Sequence, residues 1–325
     1  MRQLVCLSMR LTRTKSATCL VGIFAGVILA ADGDRDTQVR AVVADLAAQS
    51  RESREAALSQ AKGIWGPDLR TVLLAEGDRR FKSGDYPDAQ SFYRLALTVA
   101  KSTSDHDGIV AAERLLGNSL FYLAKYDESE RSYTESFREA EKTGDKRGMA
   151  GALNGLGNLK TRTDLDAASS LYQRSLTLSR ECDDPAGIAR ALNNLGNVYV
   201  KNGDLDHAIA AYQESLAIKE KSGDKAQIAM TVYNIGRLLI ASKRYDEALE
   251  YQSRCLRLSE ESGRAAGIVS ATRSIGDIYY EQGKPADAVP FYERSLKLAE
   301  QIGEREAIDE CRQRLATIRA SRDDK

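Results

Sequence analysis

Three regularities predict an all-α chain, a right-handed α-solenoid of six helix-turn-helix units closed by a C-terminal helix. A glycine recurs at Gly77, Gly117, Gly157, Gly196, Gly236 and Gly276, spaced by 40 residues with a single interval of 39. Twelve residues after the glycine, eleven in the third unit, stands a small residue: Ala89, Ser129, Ala168, Ala208, Ala248 or Ala288. Four further on comes Tyr93, Tyr133, Tyr172, Tyr212 or Tyr292, whereas the fifth unit has Gln252 at that site. Self-similarity at a fixed period of this length marks stacked repeats that bury a shared core. Apolar and small residues at i, i+3, i+4 and i+7 give each unit two amphipathic helices.

The elements follow in order. Residues 1–31 carry Arg2, Arg10, Arg13 and Lys15 with no acid, and an apolar run spans 17–31 before Asp32. A basic start, a short apolar stretch and a small-residue end predict a secretory signal peptide cut after Ala30 or Ala31, hence an exported protein. The alternative is a membrane anchor at 17–31, although a spanning helix needs about 20 apolar residues. Met9 would give a more compact basic region than Met1. Residues 32–66 are helical but off the repeat: Val39, Val42, Val43 and Leu46 mark one short helix and Ala56, Ala57, Leu58 and Ala61 another. They form an N-terminal cap, with a docking element for a partner as the second reading. The six units occupy 67–306. Residues 307–325 resume the first-helix pattern with Ala316 in the glycine slot and end in a polar tail, so they cap the array.

Within the units, Gly84-Asp85, Gly203-Asp204 and Gly283-Lys284 break the helical period. Asp127 and Asp246 are expected as N-caps in the second and fifth turns. Gly144, Gly223, Gly263 and Gly303 are placed to end the second helices, and Pro87, Pro185 and Pro285 to start helices.

These residues resemble the tetratricopeptide repeat: Leu-Gly in the first helix (Leu116-Gly117, Leu156-Gly157, Leu195-Gly196), then Ala, an aromatic and a further small residue in the second. The resemblance runs over 70–306, and the first unit departs most, with Glu76 in place of Leu. The longer period is similar to the subgroup that includes kinesin light chain and the spindle-orientation adaptors. It implies a non-enzymatic protein-interaction scaffold, with the first helices forming a concave groove.

Composition excludes several classes of function. The 47 basic and 47 acidic residues balance, which removes a global electrostatic argument for nucleic acid. Four of the bases lie in 1–31, so the remainder carries about −4. Five Cys and two His show no metal-ligand spacing, and no phosphate loop or nucleophile motif is present. We therefore assign no catalytic residue, metal, cofactor or small-molecule substrate. Cys255 sits at a small packing site and reads as a structural thiol; His106 and His207 read as solvated.

By the resemblance, groove positions lie three before the glycine, one after it, and four and five after it. The first set holds Arg114, Asn154, Asn193, Tyr233 and Arg273, the second Asn118, Asn158, Asn197, Arg237 and Asp277. Arg162 and Lys201 fall on the rim with Phe121, Tyr122 and Glu281, and Arg190 lies six before its glycine. Asn is a mediocre helix former, so five in register need a reason. One reason is that an amide can both donate to and accept from the backbone of an extended peptide, and kinesin light chain relatives carry a similar Asn ladder. The other is bonding between helices of the protein itself. The excess of Arg and Lys over Asp277 and Glu281 predicts an acidic protein or peptide ligand. Two alternatives stand beside this: a cytoplasmic nucleic-acid-binding repeat, and a regulatory adaptor for a separate signalling or protease partner.

Overall fold

The computed structural model describes residues 34–323; the signal-peptide expectation lies outside them. Every regular element among the described residues is helical. Ahead of the repeats run α1 (Arg35–Ala48), α2 (Arg54–Gln60) and a single 3-10 turn at Lys62–Ile64. The repeats are the pairs α3 (Pro67–Lys82) and α4 (Tyr86–Ser102), α5 (His106–Tyr122) and α6 (Tyr126–Thr143), α7 (Lys146–Lys160) and α8 (Leu165–Glu181). They continue with α9 (Pro185–Lys201) and α10 (Leu205–Ser222), α11 (Lys225–Ala241) and α12 (Tyr245–Glu261), α13 (Ala265–Glu281) and α14 (Pro285–Ile302). α15 (Arg305–Asp323) closes the array. The chain divides into two compact units, and the division falls inside α7, after Gly155.

In the first unit, α1 and α2 form a layer of the core itself. Val39, Val43, Leu46 and Leu58 pack with Leu69 and Leu73 of α3 and Phe92 and Leu95 of α4. Arg54 is buried here. Its Nε donates to Leu46 O (2.8 Å), its Nη1 to Asp88 Oδ1 (2.6 Å), and its guanidinium lies 4.4 Å from the Phe92 ring centre. Removing Asp88 would strand that charge, which typically costs several kcal/mol.

The recurrent glycine exists because the recurrent tyrosine lies against it. A Cβ on Gly77, Gly117 or Gly157 would stand 2.5–2.7 Å from Cε1 of Tyr93, Tyr133 or Tyr172, too close for any side chain. The small site three residues after the tyrosine is a hydrogen-bonding site as well. Ser136, Ser215 and Ser295 each donate to a first-helix carbonyl, of Val110 (2.9 Å), Ala189 (2.7 Å) and Val269 (3.0 Å). Cys255 makes the same contact to Ala229 O at 3.4 Å, buried, with its thiol pushed up to about 11 by desolvation.

Gly144, Gly223 and Gly303 end second helices in the left-handed conformation, as the spacing predicts, and Gly263, also left-handed, directly follows the C-cap Ser262 of α12. The capping expectation for Asp127 and Asp246 is corrected. The N-caps of α6 and α12 are Lys125 and Arg244, which make no side-chain cap bond, and the aspartates sit in the first turn. The reason is that the residue just before the cap takes the positive φ, at Ala124 and Lys243 as at Gly84 and Gly203. The cap is therefore fixed one residue after it. Where that residue is aspartate the side chain does cap: Asp85 accepts from Asp88 N and Asp204 from His207 N.

Candidate functional site

The expected groove residues fall into two groups, one in each unit. In the first, Asn118 sits half-buried on α5 and its Oδ1 accepts the Tyr133 hydroxyl at 2.7 Å. Arg114, also on α5, lies over α7, where a Cβ on Gly151 would meet its Cδ at 2.8 Å. Asn154 departs from the groove lining: it is only 4% exposed. Gly151 and Gly155 let Arg114 and Tyr133 approach this turn of α7, and the approach covers the amide between them. At the turns after α3 and α5, Tyr86 and the exposed Tyr122 stack with centroids 4.7 Å apart, and Phe81 meets both edge-on.

In the second unit the same pairing recurs. The Tyr172 hydroxyl donates to Asn158 Oδ1 (2.7 Å), Tyr212 to Asn197 Oδ1 (2.5 Å) and Tyr292 to Asp277 Oδ1 (2.7 Å). Tyr93 and Asp78 of the first repeat complete the set at 2.7 Å. The position after the glycine therefore has a structural task, to accept the hydroxyl of a buried tyrosine. Burial pushes the tyrosine ionisations up, to about 12 for Tyr212, where the Arg237 guanidinium opposes the shift.

The fifth repeat lacks both partners: Gln252 replaces the tyrosine and Arg237 the acceptor. This joint substitution is the signal from which the latch could have been read. The bond takes one of the two lone pairs of each acceptor oxygen, and on Asn158 the Asn194 Nδ2 takes the other at 3.4 Å, so the N–H group is the part of the amide best placed to meet a peptide.

Arg190, Asn197, Lys201 and Arg237 are exposed, as is Arg162, while Asn193 and Tyr233 are half-buried. Arg190 and Arg237 enter no ion pair with the described residues; Arg237 lies 5.9 Å from the Tyr233 ring centre. Lys201 donates to Thr161 O (3.1 Å) and Asn193 accepts from Lys219 (3.4 Å). Arg273 is held by Glu310 of α15, and Arg314 of α15 approaches Asp277 at 3.5 Å. With Tyr233 and Arg237 they line a recess of about 610 Å³. His106 is exposed, as expected, and its Nδ1 also pairs with Glu139 across the α5–α6 pair. His207 is exposed and bonds Asp204 Oδ2 at 2.7 Å. Among the described residues no group of three or more His, Cys, Asp or Glu could hold a metal ion, and no helix is long and apolar enough to cross a membrane.

Comparison with known proteins agrees with this architecture. The family model described as Tetratricopeptide repeat matches residues 108–181, 148–221 and 227–301. Human G-protein-signaling modulator 1 is 33% identical over 103 residues, which are 31% of this chain and 15% of that protein. The chain thus matches a small part of that relative's length. Among solved structures, BtubC (BKLC) from P. vanneervenii is 21% identical with a TM-score of 0.51, covering 76% of this chain and 91% of that one. A Rap protein complexed with Competence and Sporulation Factor has a TM-score of 0.58 at 14% identity, covering 96% of this chain and 88% of that one. At these identities the likeness is one of fold.

Proposed function

The chain belongs to the tetratricopeptide repeat family, and from that premise we propose that it is a non-enzymatic protein-interaction scaffold whose first-helix face holds an extended, acidic segment of a partner protein. The observation that supports this most is electrostatic. On α9 and α11, Arg190 and Arg237 are exposed without ion pairs, while Asp277 on α13 is already engaged by Tyr292 and Arg314. The amide N–H groups of Asn158 and Asn197 stand in register with these cations and would donate to a bound backbone. Each such bond contributes roughly 0.5–1.5 kcal/mol net, so charge pairing must add to it for micromolar binding, about −8 kcal/mol.

Panning phage-displayed random dodecapeptides on the purified protein tests this. We expect enriched sequences rich in Asp and Glu, bound at least tenfold more weakly by the K201E/R237E double variant. Enrichment of neutral or basic sequences, or none, would overturn the reading. The reading also takes residues 1–31 as a leader removed on export. Mass spectrometry of the mature protein should then find an N-terminus at or next to Asp32, and an intact apolar run would refute it.

A further inference from the structure

One inter-repeat junction differs from all the others. Seven residues after the tyrosine site, each second helix presents a small buried residue to the next first helix: Ala100, Ala140, Ser179, Ser259 and Ala299. The facing positions are Gly108, Gly148, Gly187, Gly267 and Ala307. A Cβ on Gly187 or Gly267 would come within 2.5 Å of Ser179 or Ser259 Oγ, which shows how closely these backbones approach. At the junction of α10 with α11 the pair is Lys219 and Gln227. Two long polar side chains cannot fit where a serine meets a glycine, and a cleft of about 1130 Å³ opens between α9 and α11, floored by the end of α10.

The cleft has apolar walls, and its charged lining is three bases, Arg190, Lys219 and Lys221, against two acids, Asp184 and Asp224. Ile188, Ile218 and Met230 line it, and Met230 is 58% exposed although a large apolar side chain. Lys219 is half-buried and its Nζ donates to Thr231 Oγ1 (2.8 Å) and Asn193 Oδ1 (3.4 Å), both neutral acceptors. Burial pushes its ionisation down, opposed only by Asp224. That aspartate is itself spent on capping α11, accepting from Ala226 N, Gln227 N and Gln227 Nε2. A desolvated ammonium gains most from an anionic acceptor, and the protein supplies none to it by a direct bond. A largely apolar surface with a few convergent polar and charged groups is the usual form of a small-ligand site.

We propose that this cleft binds a small amphipathic carboxylate, its headgroup on Lys219 and its apolar chain against Ile188, Ile218 and Met230. The cleft shares Arg190 and Asn193 with the first-helix face of the peptide reading, while Lys219 and the apolar walls belong to the cleft alone. Titration calorimetry with dodecanoate, kept below its micelle concentration, tests it. One molecule should bind per chain, and dodecylammonium should bind at least tenfold more weakly. K219Q should weaken dodecanoate at least tenfold. K219S/Q227G, which installs the Ser179/Gly187 pair of the preceding junction, should abolish binding while raising the thermal midpoint, so the loss cannot be ascribed to unfolding. R237E, in the other recess, should leave dodecanoate affinity unchanged. No binding to the wild-type protein, equal affinity for the ammonium probe, or binding that survives K219S/Q227G would overturn the assignment.

Discussion

The fourth repeat, α9 with α10, and the fifth, α11 with α12, share a period, a glycine and two turns, yet their helices are fastened differently. In the fourth, Tyr212 lies on Gly196 and its hydroxyl reaches Asn197, and Ser215 bonds Ala189 O. In the fifth, Gln252 lies on Gly236, its Nε2 donates to Tyr233 O at 3.2 Å, and its Oε1 is buried without a partner. The preceding junction is Ser179 on Gly187 for the fourth and Lys219 with Gln227 for the fifth. The fifth repeat therefore gives up an aromatic latch and a close helix contact, and the same substitutions supply the unpaired Arg237 and the cleft above Lys219. Binding surface and packing trade against each other at one place in the array.

The largest test removes the latch where it is present. Tyr212→Ala should cost about 3–5 kcal/mol, the range for deleting a buried aromatic, read from urea unfolding. Gln252→Ala should cost far less, since it also deletes an unsatisfied buried acceptor whose burial is unfavourable by roughly 1–3 kcal/mol. Equal losses at the two sites would mean that the tyrosine does not organise its repeat.

Alkali should separate the repeats next. Both groups are acids whose native ionisation is raised, so each holds its full stabilisation below its unfolded value and loses it as pH rises through the native one. For Cys255 the window runs from pH 9 to about 11, and for Tyr212 from pH 10 to about 12. A shift of about two pH units corresponds to roughly 2–3 kcal/mol. The unfolding midpoint should begin to fall near pH 9, where the raised thiols of Cys255 and of Cys311 in α15 both start to lose their stabilisation, and C255S, which copies Ser215, should make that fall shallower. A fall of unchanged depth between pH 9 and about 11 in C255S would show that the Cys255 thiol contributes nothing to it.

Restoring the latch should have a smaller, opposite effect. Q252Y/R237N rebuilds the pair seen in the fourth repeat and should stabilise by about 1–2 kcal/mol, from the gained hydrogen bond and the loss of the orphaned Oε1. Q252Y alone should recover less, because its hydroxyl would face Arg237 rather than an acceptor, and the difference measures the coupling. A double variant no more stable than the wild type would refute the account of the fifth repeat. Its binding of acidic peptides should also drop, since Arg237 is lost.

The repeat itself was fully legible in the sequence, because glycine, small residue and tyrosine are spaced by local helix geometry that a linear pattern preserves. The turns were legible where glycine supplies the positive φ, and misread at Asp127 and Asp246 because Ala124 and Lys243 adopt that conformation without a glycine to mark it. The candidate face was legible only as a set of positions. Which amides face outward depends on who accepts the tyrosine hydroxyl and how closely α7 is approached, contacts 15, 22 and 37 residues apart that no single helix displays. Arg54 was missed for the same reason, since its partner Asp88 lies two helices away.

The smallest effect discriminates best between structure and binding at the Asn positions. Asn197→Ala removes the acceptor of Tyr212 and should cost about 1 kcal/mol. Asn197→Asp keeps the acceptor, as Asp78 and Asp277 do for Tyr93 and Tyr292, and should leave stability near the wild-type value. It also puts a negative charge beside the tyrosine, which should push the Tyr212 ionisation higher still, as Asp78 does for Tyr93. N197D keeps the latch while deleting the amide N–H donor and adding a negative charge, and both changes would weaken an acidic peptide bound on this face. If the first-helix face holds a peptide backbone, N158D/N197D should weaken dodecapeptide binding at least tenfold with an unchanged unfolding midpoint. If no acidic peptide lies on this face, both measurements should stay where they are.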